Sequence, residues 1–338
     1  MTDNSPEFDS LDTFQPPKFG QSDVVHIGFL LVPQFSFFAL ACCSEPLRVA
    51  NRLADKSLFK FTFLSEDGSA VTASNGIALD VEYAIADCPA EYQTVIVISG
   101  FNPLEGCGDT LYSELRRLAA NGVSLGCVDT GAHVLAKAGL LQGQRTAVHW
   151  EATSGFQESY PAIQAVPERF VIEENRVSAA GGLSSLDMML NIIGAAHDQK
   201  LATAVAEQFT YTHVQSGEDA QRMSLRGRLA TTNRKLISAV QFMEQHLAAP
   251  LSILQIADRC ETSVRELERT FKNELDTPPK RYYRRLRLDR ARQLLRQTDM
   301  TVLEVAITCG FQSAAYFSSA YRHEFDISPS KDRNLPST

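Results

Sequence analysis

Nine positions between Ile256 and Pro279 return between Val305 and Pro329, and this internal repeat restricts the fold more than any other feature of the chain. Ile256, Ala257 and Cys260 recur as Val305, Ala306 and Cys309 at an offset of 49. Ser263, Leu267, Phe271, Leu275, Asp276 and Pro279 recur as Ser313, Phe317, Tyr321, Phe325, Asp326 and Pro329 at an offset of 50. Each copy reads as a short helix, a tight turn and a longer amphipathic helix opened by a small polar residue, the pattern of a helix-turn-helix unit. Gly310 supplies the second turn, whereas Glu261, a poorer turn residue, stands in the first.

Between the copies lies Lys280 to Gln297, with eight basic residues against one acidic residue, Asp289. Tyr283, Leu286, Leu288, Ala291, Leu294 and Leu295 recur at helical spacing, and Pro278 and Pro279 precede them, where a helix start tolerates proline. About 18 helical residues make a rod of about 27 Å. Alone, such a helix is as often a solvated surface as a nucleic-acid element. Flanked by two helix-turn-helix units, it suits a rigid connector that sets two helices into successive major-groove faces of double-stranded DNA.

Charge divides the chain the same way. Residues 1–221 carry 12 Lys+Arg against 27 Asp+Glu, and residues 222–338 carry 20 against 13, nets of −15 and +7 within a formal −8. A basic third on an acidic chain points to a nucleic-acid module joined to a domain with another task. The seven cysteines lack CxxC or metal-ligand spacing, which favours a reducing cytoplasm and argues against a disulfide framework and a zinc site; no metal and no cofactor are expected. Residues 1–22 read as a mobile tail without signal-peptide character. The apolar stretch Val24 to Cys43 is broken by His26, Pro33, Gln34 and Ser36, so a strand, a loop and a helix from near Phe37 fit better than a membrane span.

From there strands and helices alternate. Phe59–Leu64, Val95–Ser99 and Val123–Val128 read as strands, and Thr110–Ala120 and Gly131–Ala138 as helices. The expected fold is α/β, a doubly wound and mostly parallel sheet with helices on both faces, followed by an all-α domain with two helix-turn-helix units. Ligands of such sheets bind at the carboxyl ends of strands, here the loops after Val32, Ser99 and Val128. Gln199–Val214 reads as an amphipathic helix and Thr232–Leu247 as the helix that opens the last domain. The expected domains are therefore 23–214, a linker 215–229, and 230–333.

Residues 230–333 resemble the DNA-binding domain of AraC/XylS transcriptional regulators, on the segments LSILQIADRC, SVRELERTFKNEL, RLRLDRARQLL and VAITCGFQSAAYFSSAYRHEFDISPS. Asp276 and Asp326 replace the glycine usual after each recognition helix; aspartate tolerates the left-handed helix-ending conformation. Gly126 to Leu141 resembles the nucleophile elbow of the ThiJ/PfpI group, with its flavodoxin-like fold. The nucleophile position falls on Asp129, and Cys127 lies two residues early within the strand. Thr130 replaces the family's histidine and Gly100-Phe101 its glycine pair, so no catalytic residue is expected. Ala147-Val148-His149-Trp150 and Ala179 to Asp187 complete a resemblance to the GlxA type of AraC-family regulator over about 24–333.

Glu45 to Arg52 and Asp129-Thr130-Gly131 look like the branch that responds to arginine or to methylated amines such as betaines and carnitine. That resemblance implies an effector pocket of Glu45, Asp129, Thr130, His149 and Trp150, with a carboxylate facing a cation and Trp150 giving cation–π contact. Glu45 equally suits a helix salt bridge, Trp150 a core position, and His149 a structural hydrogen bond. DNA contacts are expected from Ser263, Arg265, Glu266 and Arg269 in the first copy and Gln312, Ser313, Ala315 and Ser319 in the second. Lys272, Arg284, Arg322 and the connector arginines are expected on phosphates. The function implied is a ligand-responsive regulator, an activator of catabolic genes that also meets RNA polymerase and acts as a homodimer. The alternatives are a ThiJ/PfpI-type enzyme carrying a DNA module, and a regulator whose first domain only dimerises.

Overall fold

The computed structural model describes residues 24–88 and 92–334; the expected tail, 1–22, lies outside them. The chain divides into two compact units after Gln221, at the point where its charge changes sign. No helix among the described residues is long and apolar enough to cross a membrane.

In the first unit β1 (Val25–Leu31), α1 (Phe37–Ala54) and β2 (Phe59–Ser65) open the fold, and the short strands β3 (Val71–Thr72), β4 (Ala78–Leu79) and β5 (Tyr83–Ala84) follow. Next come β6 (Thr94–Ile98), α2 (Asp109–Ala120), β7 (Ser124–Val128) and α3 (Ala132–Lys137). The unit continues with β8 (Arg145–Ala147), α4 (Thr153–Ser159), β9 (Gln164–Val166), β10 (Phe170–Glu173), β11 (Arg176–Ala179), α5 (Leu183–Ala196) and α6 (Gln199–Gln208). Seven strands form the main sheet in the order β10-β11-β7-β6-β1-β2-β5, and only β10 runs antiparallel to its neighbour. Strands β6 and β7 are buried at every position, as expected of the buried parallel strands read over Val95–Ser99 and Val123–Val128. One apolar layer joins α1, α5 and α6 to the sheet, and α2, α3 and α4 supply the other.

Two expectations are corrected here. The helix expected over Gln199–Val214 stops at Gln208, where Thr210 takes φ of 53° and Phe209, Tyr211 and Val214 turn onto the α1/α5/α6 layer. The 215–229 segment is not a bare tether. Gln215 to Gln221 is hydrogen-bonded to the first unit, and α7 (Leu225–Arg228) is fastened to α8 (Arg234–Gln245) by a two-bond Arg228–Glu244 pair at 2.9 Å.

The second unit continues with α9 (Ile253–Arg259), α10 (Val264–Leu275), α11 (Pro279–Gln297), α12 (Val302–Thr308), α13 (Ala314–Phe325) and α14 (Pro329–Arg333). The repeat is physical as well as sequential. Ser252 with Gln255, and Thr301 with Glu304, form capping boxes at the starts of α9 and α12. Ser263 and Ser313 cap α10 and α13, and Asp276 and Asp326 end them at φ of 48° and 56°. Leu267 and Phe271 fill the first core as Phe317 and Tyr321 fill the second. The connector α11 belongs to both, giving Tyr283 to the first core and Leu288, Ala291, Leu294 and Leu295 to the second.

Candidate DNA interface and effector pocket

On α10, Leu267, Phe271 and Leu275 face the core, so Arg265, Arg269 and Lys272, at spacings of four and three, form a stripe on an exposed face. On α13 the positions 50 residues later are Ala315, Ser319 and Arg322, and all three are exposed. The two predicted DNA faces are thus the same surface of two copies of one motif. Ser263 and Ser313 sit at the helix starts, where each Oγ accepts a backbone N–H, from Glu266 at 3.2 Å and from Tyr316 at 3.3 Å. Gln312 is exposed just before the second helix. Within α10 the charges neutralise one another: Arg269 pairs with Glu266 at 2.7 Å and Lys272 with Asp276 at 2.5 Å. Arg265 has no such partner among the described ion pairs and is exposed. One residue was missed. Tyr316, 53% exposed, stands where the first copy has Glu266, and the offset of 50 was enough to find it.

The expectation that the connector arginines lie on phosphates needs correction for four of them. Arg285 pairs with Glu324 at 2.6 Å and with Asp289 at 3.4 Å. Arg287 donates to the carbonyls of Cys309 and Gly310, both at 2.8 Å, and its guanidinium lies 4.1 Å from the Phe311 ring centre. Arg292 and Arg296 both pair with Asp332. These cations hold the second helix-turn-helix on the connector, because each side chain points at a helix end or a buried carboxylate. Arg284 makes none of these contacts and stays a candidate for the phosphate backbone.

In the first unit the chain turns sharply after β7, and Asp129 sits there with φ of 62°, the strained geometry of an elbow. A Cβ on Gly181 would lie 2.9 Å from Asp129 Oδ2, so the Gly181-Gly182 turn that opens α5 is glycine because the elbow occupies that space. The Thr130 hydroxyl donates to the carbonyl of Gly100 at 2.5 Å, which joins the elbow to the loop after β6. Gly100 in turn has Gln34 O only 2.4 Å from where a Cβ would stand, so its lack of a side chain is used for close packing of two loops. Burial first, then the charge of Glu151, push the Asp129 carboxyl up to about 7, against a backbone N–H bond at Thr130. No lysine or arginine pairs with Asp129 among the described residues.

His149 and Trp150 follow β8, their ring centres 5.6 Å apart, and Nδ1 of His149 accepts the Glu151 N–H at 3.4 Å. Burial holds the His149 imidazole below the usual histidine range despite the pull of Glu151. Trp150 is 38% exposed, and Phe38 at the start of α1, Phe101 on the loop after β6 and Leu183 at the start of α5 are exposed as well. A Cβ on Gly182 would lie 3.6 Å from Phe38, which puts that aromatic beside the glycine turn. Thus Asp129, Thr130 and the Glu151 neighbour of His149 and Trp150 come together. Glu45 is spent differently: its carboxylate takes three hydrogen bonds from Arg48 on an exposed turn of α1. Cys127 is 1% exposed within β7, and burial pushes its thiol up to about 12. A group so placed presents no thiolate to a substrate. A separate concavity of about 500 Å³, lined by Gly122, Val123, Gln144, Asn175 and Arg176, lies at the amino ends of β7 and β11, away from the elbow.

Comparison with known proteins agrees with both halves. A DJ-1/PfpI family matches residues 43–195 and a helix-turn-helix domain family matches residues 256–334. The chain is 45% identical over 305 residues to the HTH-type transcriptional regulator CdhR of Pseudomonas aeruginosa, covering 90% of each protein. It is 40% identical over 307 residues to the regulator GbdR of the same species, covering 91% of this chain and 83% of that one. An AraC family transcriptional regulator from Pseudomonas putida has a crystal structure similar to 55% of this chain and 99% of its own, at 29% identity and a TM-score of 0.51. The chain belongs to the HTH-type transcriptional regulators of the GlxA type, in which a DJ-1/PfpI domain is joined to an AraC-type DNA-binding domain.

Proposed function

We propose that this regulator is an activator of catabolic genes, controlled by a small cationic amino-acid derivative or methylated amine bound at the Asp129 elbow. The observation that carries the reading is Asp129 itself: a strained, partly buried carboxylate that no cation among the described residues pairs with, while Phe38 on α1 lies beside the glycine turn that meets the elbow and Trp150 is exposed after β8. A buried charge needs a partner, and a cationic ligand supplies one. Thr130 fixes the elbow, and His149 and Trp150 form a second wall. Arginine, betaine and carnitine all carry such a cation. Glu45, held by Arg48, shapes this pocket only if the pair opens.

On the DNA side, Arg265 and Gln312 suit reading of guanine and adenine edges, and Ala315 suits a thymine methyl. Ser263, Glu266, Arg269, Ser313 and Ser319 complete the two base-facing surfaces, while Lys272, Arg284 and Arg322 hold phosphates. The protein acts in the cytoplasm as a homodimer, contacts RNA polymerase when it activates, and performs no catalysis. Relatives bearing the regulator names support this reading.

The test is a titration of Trp150 emission, the chain's single tryptophan, with arginine, glycine betaine, dimethylglycine and carnitine, beside Asp129→Asn. A saturable change with one compound, lost in the variant, supports the elbow pocket. No change with any compound, together with an unmoved melting temperature, leaves the first domain as a dimerisation scaffold.

A further inference from the structure

The chain leaves the first unit through residues 209–221, and these residues are tied to the walls of the elbow. Tyr211 Oη donates to Asp187 Oδ1 at 2.9 Å, and the backbone N–H of Gln215 reaches the same oxygen at 3.0 Å. Asp187 is wholly buried on α5, the helix that begins at the glycine turn against Asp129. Its other oxygen takes two bonds from Arg169, at 2.6 and 3.1 Å. Arg169 also accepts from the Ala180 N–H through its own carbonyl at 2.8 Å, immediately before the glycine turn, and donates its N–H to Gly217 O at 2.8 Å. Gly217 lies so close to β10 that a Cβ there would stand 2.7 Å from Phe170 O.

The last residue of the unit completes the attachment. Gln221 Nε2 donates to Val148 O at 3.0 Å and to Glu168 O at 2.7 Å, while Ala220 forms an isolated antiparallel bridge with Glu168. Val148 is the residue before His149 and Trp150. One strap thereby touches both sides of the elbow, the α5 turn through Asp187 and Arg169, and the His149-Trp150 loop through Gln221. The next residue, Arg222, begins the DNA-binding unit. The two acceptors fix the orientation of the Gln221 amide, whose Oε1 is buried and meets no hydrogen-bond donor among the described residues.

We propose that residues 209–221 are a docked strap that couples occupancy of the elbow to DNA binding, with Gln221 as its coupling residue. The inference rests on the effector reading above. A ligand that moves the Val148–Trp150 loop or the α5 turn changes the acceptors on which the strap is seated. Docked and released straps give the DNA-binding unit different constraints, and coupling through such two-state elements is typically about 5–150-fold.

The experiment uses the full-length chain and its Gln221→Ala and Tyr211→Phe variants, with a DNA duplex selected by the wild type from random sequence. The compound among arginine, glycine betaine, dimethylglycine and carnitine that shifts Trp150 emission serves as the probe. In the wild type, that compound should change duplex affinity at least fivefold and alter amide hydrogen exchange at Gln215 and Arg169. Both variants should bind the compound within twofold of wild type and melt normally, yet lose most of its effect on duplex affinity. Variants that keep the full effect would overturn the strap while leaving the effector pocket standing. If none of the four compounds shifts Trp150 emission, the effector reading fails and the duplex alone serves as the probe. Duplex binding should then alter exchange across 209–221 in the wild type and not in Gln221→Ala; identical exchange in both overturns the strap.

Discussion

Arg296 on the connector helix holds Asp332 on the last helix, both Nε and Nη2 reaching Oδ1, at 3.0 and 2.5 Å. Asp332 is wholly buried, and its other oxygen accepts from Tyr321 Oη at 2.7 Å and faces Arg292 at 2.8 Å. Burial alone would raise this carboxyl, but the Tyr321 bond and the two arginines outweigh it and hold it below the usual range. One carboxylate therefore gathers α11, α13 and α14 into a single body.

Asp332→Asn should accordingly destabilise the second helix-turn-helix by about 3–5 kcal/mol, because it leaves two guanidinium groups facing a neutral amide. Circular dichroism melts of the full chain should show a lower first transition, with the first unit unaffected. A depressed carboxylate contributes stability that is fully present above its unfolded value, about pH 4, and that fades as pH falls through the folded value below it. Acid unfolding of the second unit should thus begin at higher pH in Arg296→Ala than in wild type.

Base reading and phosphate holding should separate by salt. Arg265→Ala should cost about 1–3 kcal/mol on the selected site and little on unrelated duplex. Arg284→Ala should weaken both duplexes alike and reduce the slope of log affinity against log salt by about 1. Arg287→Ala should behave as neither. Its effect should come through loss of the bonds to Cys309 O and Gly310 O, and so appear as lowered stability. Binding curves at several salt concentrations, set beside melting curves, distinguish the three.

The repeat made the second unit readable, since offsets of 49 and 50 give core, caps and exposed face together. What it could not give was the destination of the connector arginines. Eight cations on a helix look alike in sequence, and Asp332 and Glu324, which claim three of the arginines, lie 36 to 40 positions away. In the first unit the buried strands were legible from apolar runs, and the Asp129 elbow from the resemblance of Gly126 to Leu141 to the ThiJ/PfpI nucleophile elbow. The strap was not. Its bonds run from Gln221 to Val148 and from Gln215 to Asp187, between backbone atoms and side chains with no local pattern. A polar, charged stretch reads as linker unless its long-range acceptors are seen.

Cys127 should be chemically silent. With its thiol buried in β7 and pushed up to about 12, it should resist iodoacetamide in the native chain at neutral pH, while the partly exposed Cys88 and Cys107 label faster. Cys127→Ala should cost about 1 kcal/mol of stability and leave DNA affinity and Trp150 responses within twofold. Mass mapping of alkylated peptides decides the matter. Preferential labelling of Cys127, or turnover of any substrate lost in the variant, would restore the enzyme reading.

Asp129 should give the effector response its pH dependence. Its carboxyl is pushed up to about 7 by burial and by Glu151, so folding favours the protonated form. For a carboxyl raised in this way, the stabilising contribution is complete below the unfolded value near pH 4 and is lost as pH climbs from there through about 7. Wild type should therefore lose thermal stability relative to Asp129→Asn between about pH 4 and 7, since the amide cannot ionise. A cationic effector binds the ionised form, so its affinity should rise over the same interval and then level off. Glu151→Gln removes the second charge, so it should lower the midpoint of that rise. Trp150 titrations at half-unit pH steps measure both effects. A flat affinity profile in wild type would place the cation elsewhere than Asp129.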